Sequence, residues 1–263
     1  MFTVTYAQLN LWLTAFLWPF TRILALVATA PVVGNRAIPT RVKIGLAGFI
    51  TLIVAPTLGA MPQTTVFSAQ GVWILVNQFL IGVALGFVMQ MVFAVVTAAA
   101  DLMGAGMGLS FASFFDPQSN ASSPALSSWF NMMAMLAFLA FDGHLQMIAA
   151  LVETFTSVPV SANVLGANGY RLLVGWGATV FNSGLLLSLP VVVALLITNI
   201  SLGILNRAAP QIGVFQIGFA VTMLVGLLLI QLMMPSLIPY FSRLFDSGLD
   251  QMGRVAAALR PAS

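Results

Sequence analysis

Ser110 and His144 are the residue types of a serine–histidine pair, and Gly108-Leu109-Ser110-Phe111 is similar to the nucleophile segment of intramembrane proteases. That chemistry needs a base within reach of the nucleophile and donors for an oxyanion. The glycine that usually follows such a serine is Phe111 here. A serine bonded within its own turn and a histidine beside a helix end account for both residues, so no enzyme is expected. The chain has one His and no Cys, which excludes disulfides, thiolate metal sites and cysteine nucleophiles. Its acids are widely separated, so no metal and no other cofactor is expected. Gly104, Gly106 and Gly108 give G-x-G-x-G, whereas a dinucleotide fingerprint needs G-x-G-x-x-G between a strand and a helix.

Arg22, Asp101, Asp142 and Glu153 are candidates for an ion or proton pathway, since intramembrane ionisable groups are its usual markers. Most flank helix ends, where a charge is tolerated easily. Arg22 is different because it stands inside an apolar run, and it is expected to pair with a carboxylate or with exposed carbonyls of a partner helix. A small-solute or ion carrier of the inner membrane is thus the alternative function. Carriers often show two related halves, and no convincing internal repeat is visible.

The elements that must position these groups are membrane elements. Apolar residues make up 60% of the chain and charged ones 6%, against about 25% charged in soluble domains. With a mean hydropathy of +1.04, the chain is an integral membrane protein or an obligate part of a membrane assembly. The net charge of +3 is scattered, which gives no nucleic-acid patch. Met1 to Trp18 carries no Lys or Arg ahead of its apolar run, favouring a retained first helix over a cleaved signal.

Candidate spans are Leu9–Val33, Val42–Leu58, Val72–Ala100, Ala125–Phe141 extending to Val152, Leu172–Leu205 and Ile212–Leu237. Leu172 to Asn206 would be roughly 50 Å long as one helix, and Pro190 in its middle should kink or break it. Asp142-Gly143-His144 interrupts Ala125–Val152. Gly82-x-x-x-Gly86, with Ala94 and Ala98, predicts close helix packing. Arg36, Arg41 and Lys43 would be cytoplasmic by the positive-inside rule, yet six spans would put the Arg243, Arg254 and Arg260 tail on the opposite side. Helices that do not all cross lipid would remove the conflict. Beyond Pro239, Leu244, Leu249, Met252, Val255 and Leu259 form an amphipathic helix, with Asp250 and Arg254 at i,i+4.

Leu102 to Phe115 carries Gly, Met and Phe with no charge. Its alternate glycines cost roughly 1 kcal/mol each in a helix, and Phe111, Phe114 and Phe115 do not suit a solvated linker. Loops at membrane depth persist only when buried in protein or lining a cavity.

The sequence resembles the FliR/SctT proteins, the R or T subunits of the flagellar and type III secretion export gate. The resemblance rests on Arg22-Ile-Leu-Ala-Leu-Val-Ala-Thr-Ala-Pro31, Asn35-Arg-Ala-Ile-Pro39, Arg41-Val-Lys43, Gly82-Val-Ala-Leu-Gly-Phe87 and Gly106 to Pro117. It continues through Phe141-Asp-Gly-His144 and Asn206-Arg-Ala-Ala-Pro-Gln211 with Phe215. Closeness at Asn206–Phe215 favours the flagellar version.

The resemblance implies an all-α subunit of helical hairpins, P-like over residues 1–165 and Q-like over 166–263, partly packed on partners above the bilayer. It implies FliP-type, FliQ-type, FlhB-type and FlhA-type partners in the bacterial inner membrane and flagellar basal body. Exported flagellar proteins are the implied cargo. It also implies a channel plug formed by Met107, Leu109, Phe111, Phe114 and Phe115, with Gly106 and Gly108 letting the loop move. Arg22, Gly82, Gly86, Pro210, Gln211 and Phe215 would serve subunit packing.

Overall fold

A computed structural model of the chain describes residues 5–59, 61–62, 64–109, 125–209 and 214–260. Seven α-helices and no strand occur among the described residues. They are α1 (Tyr6–Thr29), α2 (Thr40–Val54, continued by a 3-10 turn at Ala55–Thr57), α3 (Ala69–Gly106), α4 (Ala125–Ala140), α5 (Gly143–Ser157), α6 (Ala167–Ala208) and α7 (Val214–Leu259). The all-α membrane architecture expected from the sequence is what forms. Five helices are long and apolar enough to cross a membrane, and the bent pair α4 and α5 makes a sixth if taken as one span.

Local chemistry sets the helix ends. Thr5 N–H donates to Gln8 Oε1 (3.1 Å) at the start of α1, half of a capping box. Gly71 N–H donates to Ser68 Oγ (3.0 Å) at the start of α3. The α4–α5 break falls where Asp142-Gly143 predicts it. Asp142 takes the left-handed conformation (φ 55°) there.

None of the prolines inside these helices breaks one. Pro190 lies inside an unbroken α6, and Pro235 and Pro239 lie inside α7, so the amphipathic tail continues that helix instead of forming its own. Proline removes one backbone hydrogen bond from a helix. Ending a helix in an apolar setting would strand several more, so the helix persists.

The chain folds into two compact units. The first comprises Met1–Met91, Asp142–Trp176 and Phe245–Ser263, with Trp18, Ile23, Leu26, Ile74, Ile81 and Leu85 fully buried. The last turns of α7 belong to this unit, where Leu259 packs so closely on α6 that a Cβ on Gly169 would lie 2.9 Å from Leu259 N.

The second unit comprises Val92–Phe141 and Gly177–Leu244. Phe93 meets Phe138 edge to face there at 5.6 Å. In this unit α6 buries a single stripe, Gly184, Leu187, Ser188, Val191 and Leu195, one helical face by its spacing. Gly184 sets the depth of that contact: a Cβ there would stand 3.3 Å from Ala98 Cβ.

Candidate functional site

Arg22 is the charged residue fully buried among the described residues. Its Nε donates to Gln78 Oε1 (2.8 Å), Nη1 to Thr154 Oγ1 (3.1 Å) and Nη2 to the Val158 carbonyl (3.0 Å). The guanidinium carbon lies 4.1 Å from the centroid of the Phe155 ring. All three acceptors are neutral, so the charge needs another source of stabilisation. Thr154, Phe155 and Val158 form the C-terminal end of α5, where the helix dipole is negative and carbonyls lack partners. Arg22 is therefore a cationic cap on α5, with the aromatic face adding a cation–π contact.

These contacts tie α1, α3 and α5 together within the first unit. The neighbouring Asn77 secures the segment after α5, its Nδ2 donating to the Asn163 carbonyl at 2.9 Å. The same surfaces meet again one and two turns further on. A Cβ on Gly82 would strike the Arg22 carbonyl and lie 2.6 Å from Ala25 Cβ, and one on Gly86 would strike Thr29. Gly82-x-x-x-Gly86 is thus the seam that brings α3 onto α1.

Arg22, Gly82 and Gly86 were expected to serve subunit packing. The structure spends all three inside the chain: Arg22 has no exposed surface and the glycines face α1. Asn77, Gln78 and Thr154 were not anticipated. Two consecutive amides in the apolar run Val72–Ala100 were the signal available.

The segment after α3 begins in the second unit. Leu102–Gly106 is helical, so Gly104 and Gly106 are helix residues and not flexible joints. Gly106 faces α6, where a Cβ would lie 3.1 Å from Leu195 Cδ1. Gly108 has φ 83° and turns the chain out of the helix, a conformation glycine adopts without a steric penalty.

Met107 is fully buried. Its side chain fills the space over Gly226 of α7, where a Cβ would lie 2.6 Å from Met107 Cγ. Thr222 Oγ1 lies 3.2 Å from the Met107 carbonyl. Met107 is therefore the anchored foot of the segment, not one of its free apolar atoms. Leu109 is half-exposed. Phe111, Phe114 and Phe115 lie outside the described residues, as do Ser110, Pro210, Gln211 and the side chain of Phe215.

The remaining candidates do not gather. Asp101 is exposed and accepts a hydrogen bond from Ser127 Oγ; Asp142 and Glu153 are exposed, and His144 Nδ1 is buried without a partner. Among the described residues no three of His, Cys, Asp and Glu are placed to hold a metal.

A long apolar helical chain whose one enclosed charge among the described residues is fully engaged points away from surface chemistry and towards a membrane assembly. The family model described as bacterial export proteins, family 1, matches residues 13–248. The chain belongs to this family. It is 44% identical to the flagellar biosynthetic protein FliR of Pectobacterium carotovorum subsp. carotovorum, covering 94% of this chain and 95% of that one. It is 43% identical to the FliR of Escherichia coli K12, covering 98% and 99%. The FliR of Bacillus subtilis is 27% identical over 92% of this chain. The FliR-type resemblance expected from the motifs therefore holds over nearly the full length.

Proposed function

We propose that the chain is a channel-forming structural subunit of the flagellar type III protein export gate of the bacterial inner membrane, through which unfolded flagellar proteins pass. The observation that carries this reading is the excess of apolar helix over membrane. About 20 residues cross the hydrocarbon core, whereas α6 has 42 and α7 has 46. On α6 large apolar side chains are exposed from Leu172 to Leu205, among them Val174 (78%), Phe181 (79%) and Ile204 (66%), whereas on α7 they lie between Phe219 and Ile238. Lipid covers about 20 residues of such a stretch, which leaves part of the exposed face of α6 uncovered. Protein partners cover the rest, and the reading takes them to be FliP-type and FliQ-type subunits, with FlhB-type and FlhA-type proteins as further partners. Residues 1–165 act as the P-like part and 166–263 as the Q-like part. Pro210, Gln211 and Phe215, at the α6–α7 connection, pack on a neighbouring subunit.

Leu109, Phe111, Phe114 and Phe115 plug the closed channel, hinged at Gly108 and held by Met107. A greasy constriction excludes water and ions without any charged group. A carrier has less support. It needs an ionisable group that can exchange partners, and all three Arg22 contacts are to neutral groups of its own chain.

Co-expression with the neighbouring export subunits, followed by purification and imaging, tests the reading. The expected result is a large complex containing this chain, which is unstable when made alone. A stable small unit that binds a solute would overturn it.

A further inference from the structure

The first 100 residues contain no Asp or Glu, yet Arg36 stands between α1 and α2 and Arg41 and Lys43 in the first turn of α2. The three cations differ in what they do. Lys43 Nζ donates to the Gly34 carbonyl (2.8 Å), so it holds the turn together. Asn35 Oδ1 accepts from Ala37 N–H (3.0 Å) and shapes the turn further. Arg36 and Arg41 are exposed and take no part in that scaffold.

The helix that follows is unlike the long ones. Thr40–Thr57 has 18 residues, so at about 1.5 Å per residue it is roughly 27 Å long, close to one hydrocarbon thickness. Phe49, Leu52 and Ile53, with Val42 and Ile44 nearer the turn, are exposed on it. Its far end, Ala55-Pro56-Thr57-Leu58-Gly59, carries no charge. An apolar helix of bilayer length with two free cations at one end only has the form of a lipid-facing element.

We infer that Arg36 and Arg41 bind the phosphates of anionic phospholipids at one membrane surface, while the exposed face of α2 meets their acyl chains. Basic residues immediately beside a span attract anionic headgroups by screened electrostatics. Arginine also matches phosphate with two parallel donors. The scaffolding contacts of Lys43 and Asn35 present both guanidinium groups from a turn that does not depend on them. The inference does not rest on the export-gate reading, since it concerns only the first unit and its lipid.

The test is reconstitution of the full chain, with its co-expressed partners, into nanodiscs of phosphatidylcholine with or without phosphatidylglycerol. Retained lipid is then counted by mass spectrometry. The wild type should enrich phosphatidylglycerol, and R36Q/R41Q should weaken its binding by roughly 30-fold at low salt, with little change at high salt. R36K/R41K should retain most of the enrichment, and thermal stability of the glutamine variant should match the wild type. Equal phosphatidylglycerol retention by wild type and R36Q/R41Q would overturn the inference. So would unchanged lipid retention with loss of a co-purifying subunit, which would show that the turn faces protein.

Discussion

Nη2 of Arg22 donates to the carbonyl of Val158, 136 residues away in sequence, and so caps α5 with a cation borne on α1. A guanidinium held by three neutral acceptors and a helix end needs no carboxylate, and its removal takes the donor from Gln78 Oε1 and the Val158 carbonyl at once, while Thr154 keeps its bond to Leu151.

Replacing Arg22 with Ala should therefore act on folding. Each buried polar group left without a partner costs about 1–3 kcal/mol. R22A should accumulate several-fold less and digest faster in limited proteolysis. R22K should be nearly as damaged, because an ammonium cannot reproduce the planar fork. Wild-type levels and protease resistance of R22A would refute the capping role.

The glycines should divide by what a Cβ would meet. G82A and G86A force α3 away from α1 and should lower thermal stability. Gly45 and Gly253 are helical with open space at the Cβ position, so G45A and G253A should be neutral or stabilise by up to about 1 kcal/mol. Melting curves of the four variants give the comparison, and equal effects across both pairs would refute the seam.

Met107 and Leu109, two residues apart, should have opposite phenotypes. M107A opens a cavity over Gly226 and should cost about 2–5 kcal/mol. L109A should leave stability unchanged. G108A should cost roughly 1–2 kcal/mol, because the left-handed conformation places a Cβ against the following carbonyl. Stability measurements that rank L109A below M107A would contradict the anchored foot.

Much of this was legible in the chain. The apolar runs marked the spans, Asp142-Gly143 marked the elbow, and Arg22 stood out in its run. What was not legible depended on distant partners. Nothing near Arg22 indicates that Gln78, Thr154 and Val158 will receive it. Nothing near Met107 indicates that Gly226 leaves room for its side chain. Local rules also misplace a helix start beyond Pro239 and overstate a break at Pro190, because they weigh proline against a solvated coil and not against stranded backbone in an apolar setting.

Deleting residues 109–115 while keeping Met107 should leave the chain able to assemble but make the membrane leaky to ions. Membrane potential and growth in cells carrying the deletion check this. Unchanged potential with normal assembly would remove the plug.

The central claim is that the exposed apolar face of α6 is covered by protein beyond the thickness of a bilayer. A photocrosslinking residue placed in turn at Val174, Phe181, Leu196, Ile204, Leu224 and Leu232 tests it most directly in native membranes. The account predicts crosslinks to other export subunits at positions spread over more than one bilayer thickness of helix. Adducts with lipid alone along α6 would contradict it.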